Sequence, residues 1–356
     1  QYALACVLCE TLTGEVLFGG DPPHATIANH LVHAPPLPEV WPEGTPSPLP
    51  AVLERALSKD PKERFEDLLT FVGRLKVKRS NVQPATVQPV KDRVKTDGDE
   101  ITLTLAPGVE MELVRVPAGT FLMGAGSEQH KVHLDEYWIG KYPVTNAEYK
   151  AFVDATNHEE PSHFENGEIP KGKADHPVVY VSWHDTLAFC DWASQVTGTK
   201  IRLPTEAEWE KAARGGLPAV SPPNSGGTEG GARLYPWGDQ KPDVGLCNFA
   251  ENIGDTTRVG RYSPAGDSPY GCADMAGNVW EWTSSLWGED WDEPKYGYPY
   301  RAGDGRENLE ANDDVERVLR GGSWNYNDNY VRAANRNRLN PDFTRNYNGF
   351  RCAHSP

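Results

Sequence analysis

Asp274-Met-Ala-Gly-Asn-Val-Trp-Glu-Trp282 is the stretch of sequence that decides the fold, together with Arg320-Gly-Gly-Ser-Trp324 and Gly349-Phe-Arg-Cys352 further along the chain. All three lie in a C-terminal region that is rich in Gly, Asn and aromatic residues and shows few helical patterns. Irregular backbone on this scale must satisfy its polar groups through internal hydrogen bonds or bound ions. The sequence therefore predicts a loop-rich fold held by aromatic anchors.

Strands and short helices precede this region. Ile101-Thr-Leu-Thr-Leu105 alternates apolar and polar residues as a strand does, and residues 111–116 and 132–139 do so less strictly. Three helices are predicted by capping boxes, in which a hydroxyl accepts from a free helix N–H and an acid three residues on reaches back. The boxes are Thr145-Asn-Ala-Glu148, Ser182-Trp-His-Asp185 and Thr205-Glu-Ala-Glu208.

The composition excludes several classes of function. The chain has 356 residues, with 35 Lys and Arg against 51 Asp and Glu, a formal net charge of −16. Because so acidic a chain repels phosphate backbones, we expect no nucleic-acid partner. No apolar run approaches the ~18 residues of a membrane span. The six scattered cysteines are typical of reduced core residues, so we expect a cytoplasmic protein.

The N-terminal residues 1–75 are predicted to be helical. Tyr2–Gly14, Phe18-Gly-Gly20 and Leu57-Ser-Lys-Asp-Pro-Lys-Glu-Arg-Phe65 resemble the end of a serine/threonine protein kinase C-lobe. The chain lacks the Gly-rich phosphate loop, the ATP-anchoring Lys, the H-R-D catalytic loop and the D-F-G motif, which position ATP and Mg²⁺ in kinases. We therefore expect a small all-α fragment of a kinase C-lobe that is not itself a kinase.

Residues 76–100 are polar and lack periodicity, so they are predicted to be an interdomain linker. A second domain is predicted at 101–356. Because the chain begins with Gln1 rather than Met, we expect it to belong to a longer parent protein.

A series of motifs runs in order through residues 101–356. They are Val116–Gly124, Tyr142–Tyr149, His176-Pro-Val178 leading to Trp183, Arg202–Glu210, Tyr235-Pro-Trp-Gly238, Asp274–Trp282, Arg320–Trp324 and Gly349–Cys352. With these motifs the chain resembles the formylglycine-generating (sulfatase-modifying factor) family. The resemblance implies an α+β protein with a C-type-lectin-like fold of the formylglycine-generating-enzyme type: a small antiparallel sheet, few helices and long structured loops.

The chemistry of that family is not expected from this chain. Family enzymes hold copper with two cysteines, and at the matching positions this sequence has Tyr326 and Val331. Neither offers the thiolate that soft Cu(I) needs, so we expect no copper and no enzyme activity. An iron-dependent branch of the superfamily uses histidines from an additional helical domain, which we do not find here.

Structural calcium is the cofactor that the resemblance implies. The family's calcium loops match two sets of residues in this sequence, and interleaved carboxylate, amide and carbonyl oxygens suit a hard cation. In the alternative, Asp274 and Glu281 accept backbone N–H groups in a tight turn. The two sets are Asn248, Phe249, Asp255 and Thr257, and Asp274, Gly277, Val279 and Glu281.

Asparagine is concentrated near the C-terminus, between Arg320-Gly-Gly-Ser-Trp324 and Gly349-Phe-Arg-Cys352. An Asn codon changed only at its adenines never encodes Lys, Glu, Gln, Met or Trp, and none of these occurs from Asn325 to Asn348. The segment thus resembles the variable region of proteins diversified by retroelements, here at about 321–352. Many such proteins use a C-type-lectin scaffold.

The side chains of this segment suit recognition, because Tyr offers large contact area at low entropic cost and Asn adapts its hydrogen bonds. The alternative is an ordinary loop with Asx turns. We expect Trp324, Arg336 and Arg345 to help fix the backbone. The predicted ligand-binding residues are Asn325, Tyr326, Asn327, Asp328, Asn329, Tyr330, Asn337, Arg338, Leu339, Asn340, Phe343, Thr344, Asn346, Tyr347 and Asn348.

The sequence thus predicts a recognition protein with a retroelement-diversified surface. We expect its ligand to be a protein. Fusion to a kinase fragment suggests that the parent couples recognition to phosphorylation signalling. Two alternatives stay open: an oxidase of the formylglycine-generating family, and a pseudoenzyme sensor with one fixed partner.

Overall fold

The computed structural model describes residues 5, 6, 8, 9, 37, 48–60, 62, 64, 65, 93–217, 232–290 and 292–356. The chain divides into two compact units, residues 1–86 and residues 87–356.

The described part of the first unit is a small apolar cluster around helix α1 (Pro48–Ala56). Leu53 and Leu57, which the sequence places at helical spacing, are fully buried. Arg64 Nε donates to the Ser58 carbonyl oxygen at 2.7 Å and ties the following segment to the end of the helix. Most of the residues that resemble a kinase C-lobe lie outside the described ones, so the kinase fragment stays a prediction.

The described part of the second unit has three sheets. A six-stranded sheet has the order β1-β2-β3-β6-β12-β7, a four-stranded sheet the order β10-β9-β8-β11, and β4 pairs with β5. The strands are β1 (Val94–Asp97), β2 (Glu100–Ala106), β3 (Val109–Val116), β4 (Gly119–Met123), β5 (His130–Leu134), β6 (Tyr137–Gly140), β7 (Ile201–Arg202), β8 (Trp280–Gly288), β9 (Glu316–Arg320), β10 (Arg336–Leu339), β11 (Asn348–Phe350) and β12 (Ala353–His354).

Two predictions of strand boundaries were wrong. The end of the predicted linker forms strand β1, which pairs with β2 in an antiparallel hairpin turned at Gly98. All four β1 side chains are exposed, so the strand has no apolar pattern that sequence analysis could detect. Residues 132–139 were predicted to be one strand, but they contribute to β5 and β6 in different sheets.

All three capping boxes are confirmed. Helices α2 (Asn146–Thr156), α3 (Trp183–Thr197) and α4 (Glu206–Arg214) each begin with the reciprocal bonds between the hydroxyl and the acid three residues on. The main apolar core lies where α2 and α3 pack against both larger sheets. Its largest members include Trp183, Trp280 and Trp282.

Buried ion pairs join helix α4 to the four-stranded sheet. Glu210 is fully buried; Arg214 lies 2.6 Å from its Oε1, and Arg320 of β9 contacts its Oε2. The Gly124 N–H also donates to Glu210 Oε1 at 2.8 Å. Because both carboxylate oxygens have charged partners, the desolvation cost of burying the charges is offset by strong hydrogen bonds.

Two further buried carboxylates repeat this arrangement. Glu206, one turn before Glu210 on α4, receives Arg336 Nε at 2.7 Å and Arg306 at 3.1 Å. Glu281 of β8 receives Arg351 Nε at 2.6 Å. The pairs link residues that are far apart in the sequence, so they fix how α4, β8, β10 and the C-terminal segment sit together.

The Glu210→Gln substitution removes the negative charge that neutralises Arg320 and leaves that guanidinium buried without a counterion. We expect it to lower the free energy of unfolding by about 3–5 kcal/mol, the usual cost of breaking a buried pair from one side. Urea denaturation, monitored by tryptophan fluorescence, measures the change in the free energy of unfolding. Asp99→Asn, which removes the exposed partner of Arg115, is the matched control and should leave the midpoint almost unchanged.

Glu307 provides a pH-dependent test of the same frame. Burial raises its pKa to about 7, although Ser284, Ser285 and Tyr300 donate hydrogen bonds to it. Since the folded-state pKa lies above the unfolded value, the folded state binds the extra proton, and stability falls as pH rises from about 4.5 to 7. We expect Glu307→Gln to be more stable than the wild type at pH 8, by on the order of 1–3 kcal/mol, and equal to it at pH 4. Equal stability of the two proteins at pH 8 would contradict this assignment.

Candidate binding surface

The Asn-rich segment connects β9 to β11 and contributes the edge strand β10 of the four-stranded sheet. It leaves β9 through Gly321 and Gly322, whose φ values are +99° and +75°. A Cβ atom at Gly322 would lie 2.8 Å from the carbonyl oxygen of Tyr330, so glycine is required there. The segment then pairs as β10 with β9 and returns as β11 beside β8, in parallel.

The aromatic side chains of this segment form a cluster over the core. The rings of Tyr326 and Tyr330 are 5.0 Å apart, those of Tyr326 and Tyr347 are 5.8 Å apart, and Trp280 meets Tyr326 edge-on at 5.6 Å. Burial, with the Tyr347 hydroxyl as a smaller cause, raises the pKa of Tyr326 to about 12. Tyr330 is 42% exposed, so the cluster presents apolar surface to solvent, and Phe343, elsewhere in the segment, is 49% exposed.

Asparagines of the segment have two kinds of role. Asn327 and Asn340 each accept a backbone N–H two residues on, which is the Asx-turn geometry of the alternative that sequence analysis left open. Asn329 and Asn346 are exposed, although Asn329 Oδ1 also accepts from Arg332. Local turn formation and surface display therefore occur together in the same segment.

One predicted contact residue is buried. Asn348 is 1% exposed within β11, where it is the register partner of Trp280. Neither its Nδ2 nor its Oδ1 finds a hydrogen-bond partner among the described residues. Placing Asn348 on the surface was wrong, because the return to the sheet begins one residue earlier than the Asn pattern suggests. The other predicted contact residues are half-buried or exposed.

Two of the predicted backbone anchors behave differently. Arg336 is an anchor, because its guanidinium donates to both oxygens of Glu206. Arg345 is exposed, and its side chain donates to the neighbouring Thr344 carbonyl at 2.9 Å and lies 5.4 Å from the centre of the Phe343 ring. Arg345 instead contributes through its own backbone carbonyl, which accepts from the Tyr180 N–H at 2.9 Å.

The two positions that match the family's copper cysteines do not fit copper. Tyr326 belongs to the aromatic cluster, and Val331 is fully buried beside Tyr235 and Cys247. A valine has no donor atom, and burial raises the pKa of the nearby Cys247 thiol to about 12, which keeps it protonated.

In the second predicted calcium loop, both carboxylates have hydrogen-bond partners within the protein. Glu281 accepts from Arg351 at both oxygens, at 2.6 and 2.7 Å, and Trp209 Nε1 donates to Oε2 at 2.7 Å. Asp274 Oδ2 accepts from the Gly260 N–H at 2.7 Å. Asp274 thus accepts a backbone N–H, as in the tight-turn alternative, whereas Glu281 binds the side chains of Arg351 and Trp209, which the sequence did not indicate. Gly277 and Val279 lie between the two carboxylates in the same turn, joined by a backbone bond of 2.9 Å.

The first calcium loop fits better. Asn248 is fully buried, and its Oδ1 has no hydrogen-bond partner among the described residues. Its Nδ2 donates to the Asp255 carbonyl oxygen at 2.9 Å, which closes the loop on itself. Lys173 neutralises the Asp255 carboxylate at 2.8 Å. The Thr257 backbone lies on the same side, held by Asn278, and Phe249 is half-buried beside the loop.

Two features were missed by sequence analysis. One is an open cleft of about 560 Å³ lined by Lys173, His176, Asp255 and two arginines. The other is a group of metal-ligating side chains at the edge of the Asn-rich segment, His184, Asp313 and Asp342. These residues come from segments far apart in the chain, so no spacing in the sequence brings them to notice.

Comparison with known proteins identifies the family to which this architecture belongs. Residues 105–356 match the family of the sulfatase-modifying factor enzyme 1-like domain. The chain belongs to this family. The mixed sheets, short helices and long loops are those of its C-type-lectin-like fold, as the motifs predicted. Among the described residues, no helix has the length and apolar character needed to cross a membrane.

Curated relatives include named enzymes and kinases. The formylglycine-generating enzyme of Streptomyces coelicolor is 32% identical over 312 residues, which are 67% of this chain and 88% of that one. The hercynine oxygenase of Mycolicibacterium smegmatis is 31% identical over 290 residues, 69% of this chain and 62% of that one. The serine/threonine-protein kinase pkn1 of Chlamydia pneumoniae is 32% identical over 263 residues, and the match spans only 38% of the kinase.

These relatives correct one prediction. We expected a chain without enzymatic character, because the copper cysteines and the kinase motifs are missing. The family to which the chain belongs is enzymatic, as the names formylglycine-generating enzyme and hercynine oxygenase show. The substitutions at two positions thus do not exclude enzyme activity.

Among solved structures, Treponema denticola variable protein 1 is similar, with a TM-score of 0.55 and 25% identity over 73% of this chain and all of that one. PvdO from Pseudomonas aeruginosa has a TM-score of 0.52 and 23% identity, which supports the fold alone.

Proposed function

We propose that the chain is a recognition protein whose ligand-binding surface is the segment from Asn325 to Tyr347, diversified by a retroelement. The observation that carries this proposal is how the segment is held. Its backbone is fixed to the rest of the domain by main-chain hydrogen bonds, while many of its side chains point outward.

The main-chain bonds occur at both ends and in the middle of the segment. The Ala250 N–H donates to the Tyr326 carbonyl at 2.8 Å, and the Ala333 N–H donates to the Leu234 carbonyl at 3.0 Å. Further along, the Trp183 N–H donates to the carbonyl of Pro341 at 2.9 Å. None of these bonds depends on a side chain, so substitution within the segment leaves them intact.

The exposed side chains indicate the class of ligand. Tyr330, Phe343 and the edge of Tyr326 give apolar area, and Asn329 and Asn346 give donors and acceptors. This mixture of aromatic and amide groups is typical of surfaces that bind proteins. With a net charge of −16, the chain favours a protein over a nucleic acid. The similar structure of a protein named variable supports the same function.

Diversification makes a genomic prediction. If the segment is rewritten through an RNA intermediate, a near-copy of the coding region for 323–350 lies beside a reverse transcriptase gene and differs from it at adenines. Sequencing the locus tests this directly. A locus without such a copy would leave a sensor with one fixed partner as the better explanation of the surface.

The surface also predicts tolerance to substitution. Randomising Asn327, Asn329, Tyr330, Phe343 and Asn346 should leave most variants folded, because these side chains are exposed and the backbone is held by main-chain bonds. The library is displayed on cells, and a conformational probe measures the fraction of folded variants. Variants that bind ubiquitin, used as a test ligand, are then selected. We expect folded variants to predominate and binders to emerge.

A matched library tests the same idea from the other side. Randomising the buried Ser323, Val331, Ala333, Asn348 and Phe350 should unfold most variants, since each is at most 1% exposed. Similar folded fractions in the two libraries would contradict a surface built for exchange.

The relatives favour a second function, oxidation of a substrate by a formylglycine-generating type of enzyme. Turnover of a sulfatase-type cysteine peptide in the presence of copper tests it. Tyr326 and Val331 at the copper positions make this the weaker candidate, and activity would have to use other ligands.

Two further proposals concern the context of the surface. The Chlamydia kinases that match this chain suggest that a parent protein couples recognition to phosphorylation signalling. All six cysteines are buried and none is in a disulfide, which supports a reducing, cytoplasmic setting.

We propose one structural calcium ion, at the first loop. The unpartnered Oδ1 of Asn248 would hold it with the Phe249 and Thr257 carbonyls, and the Asp255 carboxylate would join them by exchanging the Lys173 ammonium for the ion. Ca²⁺ at about a hundred times its Kd should raise the melting temperature by about 5 °C relative to EDTA. Asp255→Asn should abolish the shift, whereas the control Asp154→Asn, on the exposed side of α2, should retain it. A shift that survives Asp255→Asn would place the ion elsewhere.

A further inference from the structure

His184, Asp313 and Asp342 converge at the edge of the Asn-rich segment. His184 Nε2 lies 3.0 Å from Asp313 Oδ1 and 3.5 Å from Asp342 Oδ1. The three donor atoms all lie within 4.8 Å of one another, and each side chain is exposed. The residues come from the first turn of α3, the loop before β9 and the turn after β10.

The spacing of the donors matches a coordination shell. Metal–ligand bonds of about 2.0–2.2 Å to imidazole nitrogen and carboxylate oxygen place neighbouring donors about 3.0–3.5 Å apart. The two contacts of His184 Nε2 fall in this range. The remaining separation, between the two carboxylates, is within 4.8 Å, so an ion would draw the two aspartates together by at most about 1–2 Å.

The charges of the group also call for a cation. One imidazole N–H cannot be donated well to two carboxylates at once, whereas an ion would bind all three side chains. Among the described residues, no Lys or Arg forms an ion pair with Asp313 or Asp342. The guanidinium of Arg317 interacts electrostatically with Asp313, but its hydrogen bonds go to backbone carbonyls of the loop before β9.

The backbone around the three side chains is fixed. The Trp183 N–H, next to His184, donates to the Pro341 carbonyl at 2.9 Å, next to Asp342. Asn340 Nδ2 donates to the Asp313 carbonyl at 2.7 Å, and Arg317 holds the same loop through the Ala311 carbonyl at 2.9 Å. These bonds tie α3 to the turn that carries Asp342, and that turn to the loop that carries Asp313, so the three donors are held near one another before any ion binds.

We propose that His184, Asp313 and Asp342 bind one divalent transition-metal ion of the Zn²⁺ class. A nitrogen ligand with two carboxylates favours such an ion over Mg²⁺ and Ca²⁺, which prefer an all-oxygen shell. Exposure of the group leaves the remaining coordination positions to water or to a donor group of a molecule bound at the neighbouring surface. Asp342 lies within the proposed binding segment, but metal binding by this chain does not require that the segment be diversified or bind a protein. The calcium loop lies in another segment.

Zinc titration of the full-length chain, stripped with EDTA and followed by calorimetry, tests the proposal. We expect one equivalent of Zn²⁺ to bind in the micromolar range, and His184→Gln and Asp342→Asn each to weaken it by at least about tenfold. His133→Gln, an exposed strand histidine 3.3 Å from Thr120 Oγ1, is the control and should bind as the wild type does. A millimolar excess of Ca²⁺ should not compete.

Replacing Zn²⁺ with Co²⁺ allows the ligands of the ion to be followed by absorption spectroscopy, independently of protein stability. Visible absorption bands of bound Co²⁺ should appear in the wild type and in His133→Gln, and they should be lost or shifted in His184→Gln. The metal-free proteins should all have the same melting temperature. A Zn²⁺ dissociation constant above the millimolar range would overturn the proposal. So would a Zn²⁺ affinity that does not change in His184→Gln and Asp342→Asn, because the ion would then be bound by other ligands, such as Cys6 and Cys9.

Discussion

The fold depends on three buried carboxylates that are neutralised by arginines from distant parts of the chain. Glu206 and Glu210 lie one turn apart on helix α4 and bind Arg336 and Arg320, while Glu281 of β8 binds Arg351. A buried charge without a partner is costly, so each pair is satisfied only when the helix, the sheet and the C-terminal segment are in their native arrangement. These pairs therefore specify the geometry of a domain in which much of the backbone is irregular.

This frame determines where variation is possible. Arg336 stands within the Asn-rich segment, yet its side chain turns inward to Glu206 and is 8% exposed, whereas Asn337 and Arg338 beside it are only half-buried. The segment thus contains anchor and display positions side by side. The metal-ligating group at its edge follows the same pattern, since Asp342 lies in the segment while His184 and Asp313 belong to the frame.

The sequence predicts local structure here better than it predicts contacts. Capping boxes are confirmed at all three helices because each is formed by residues three positions apart. Strand β1 was missed because its side chains are exposed and its only signal is main-chain pairing. The use of Glu281 by Arg351 could not be predicted, because the two residues are 70 positions apart and nothing in either segment names its partner.

Asn348 shows where the logic of a replaceable surface ends. From Tyr326 to Arg345 the backbone is held by main-chain bonds that accept many side chains. At Asn348 the chain has re-entered the sheet beside Trp280, and both its amide and the Trp280 Nε1 are buried without partners among the described residues. Unsatisfied polar groups in such a position destabilise a fold by about 1–3 kcal/mol each. The proposed rewriting of codons at their adenines would not distinguish this asparagine from its exposed neighbours, whereas burial in the sheet does. If the segment is diversified as proposed, variation should therefore be tolerated only up to the first buried residue of β11, before the end of the asparagine pattern.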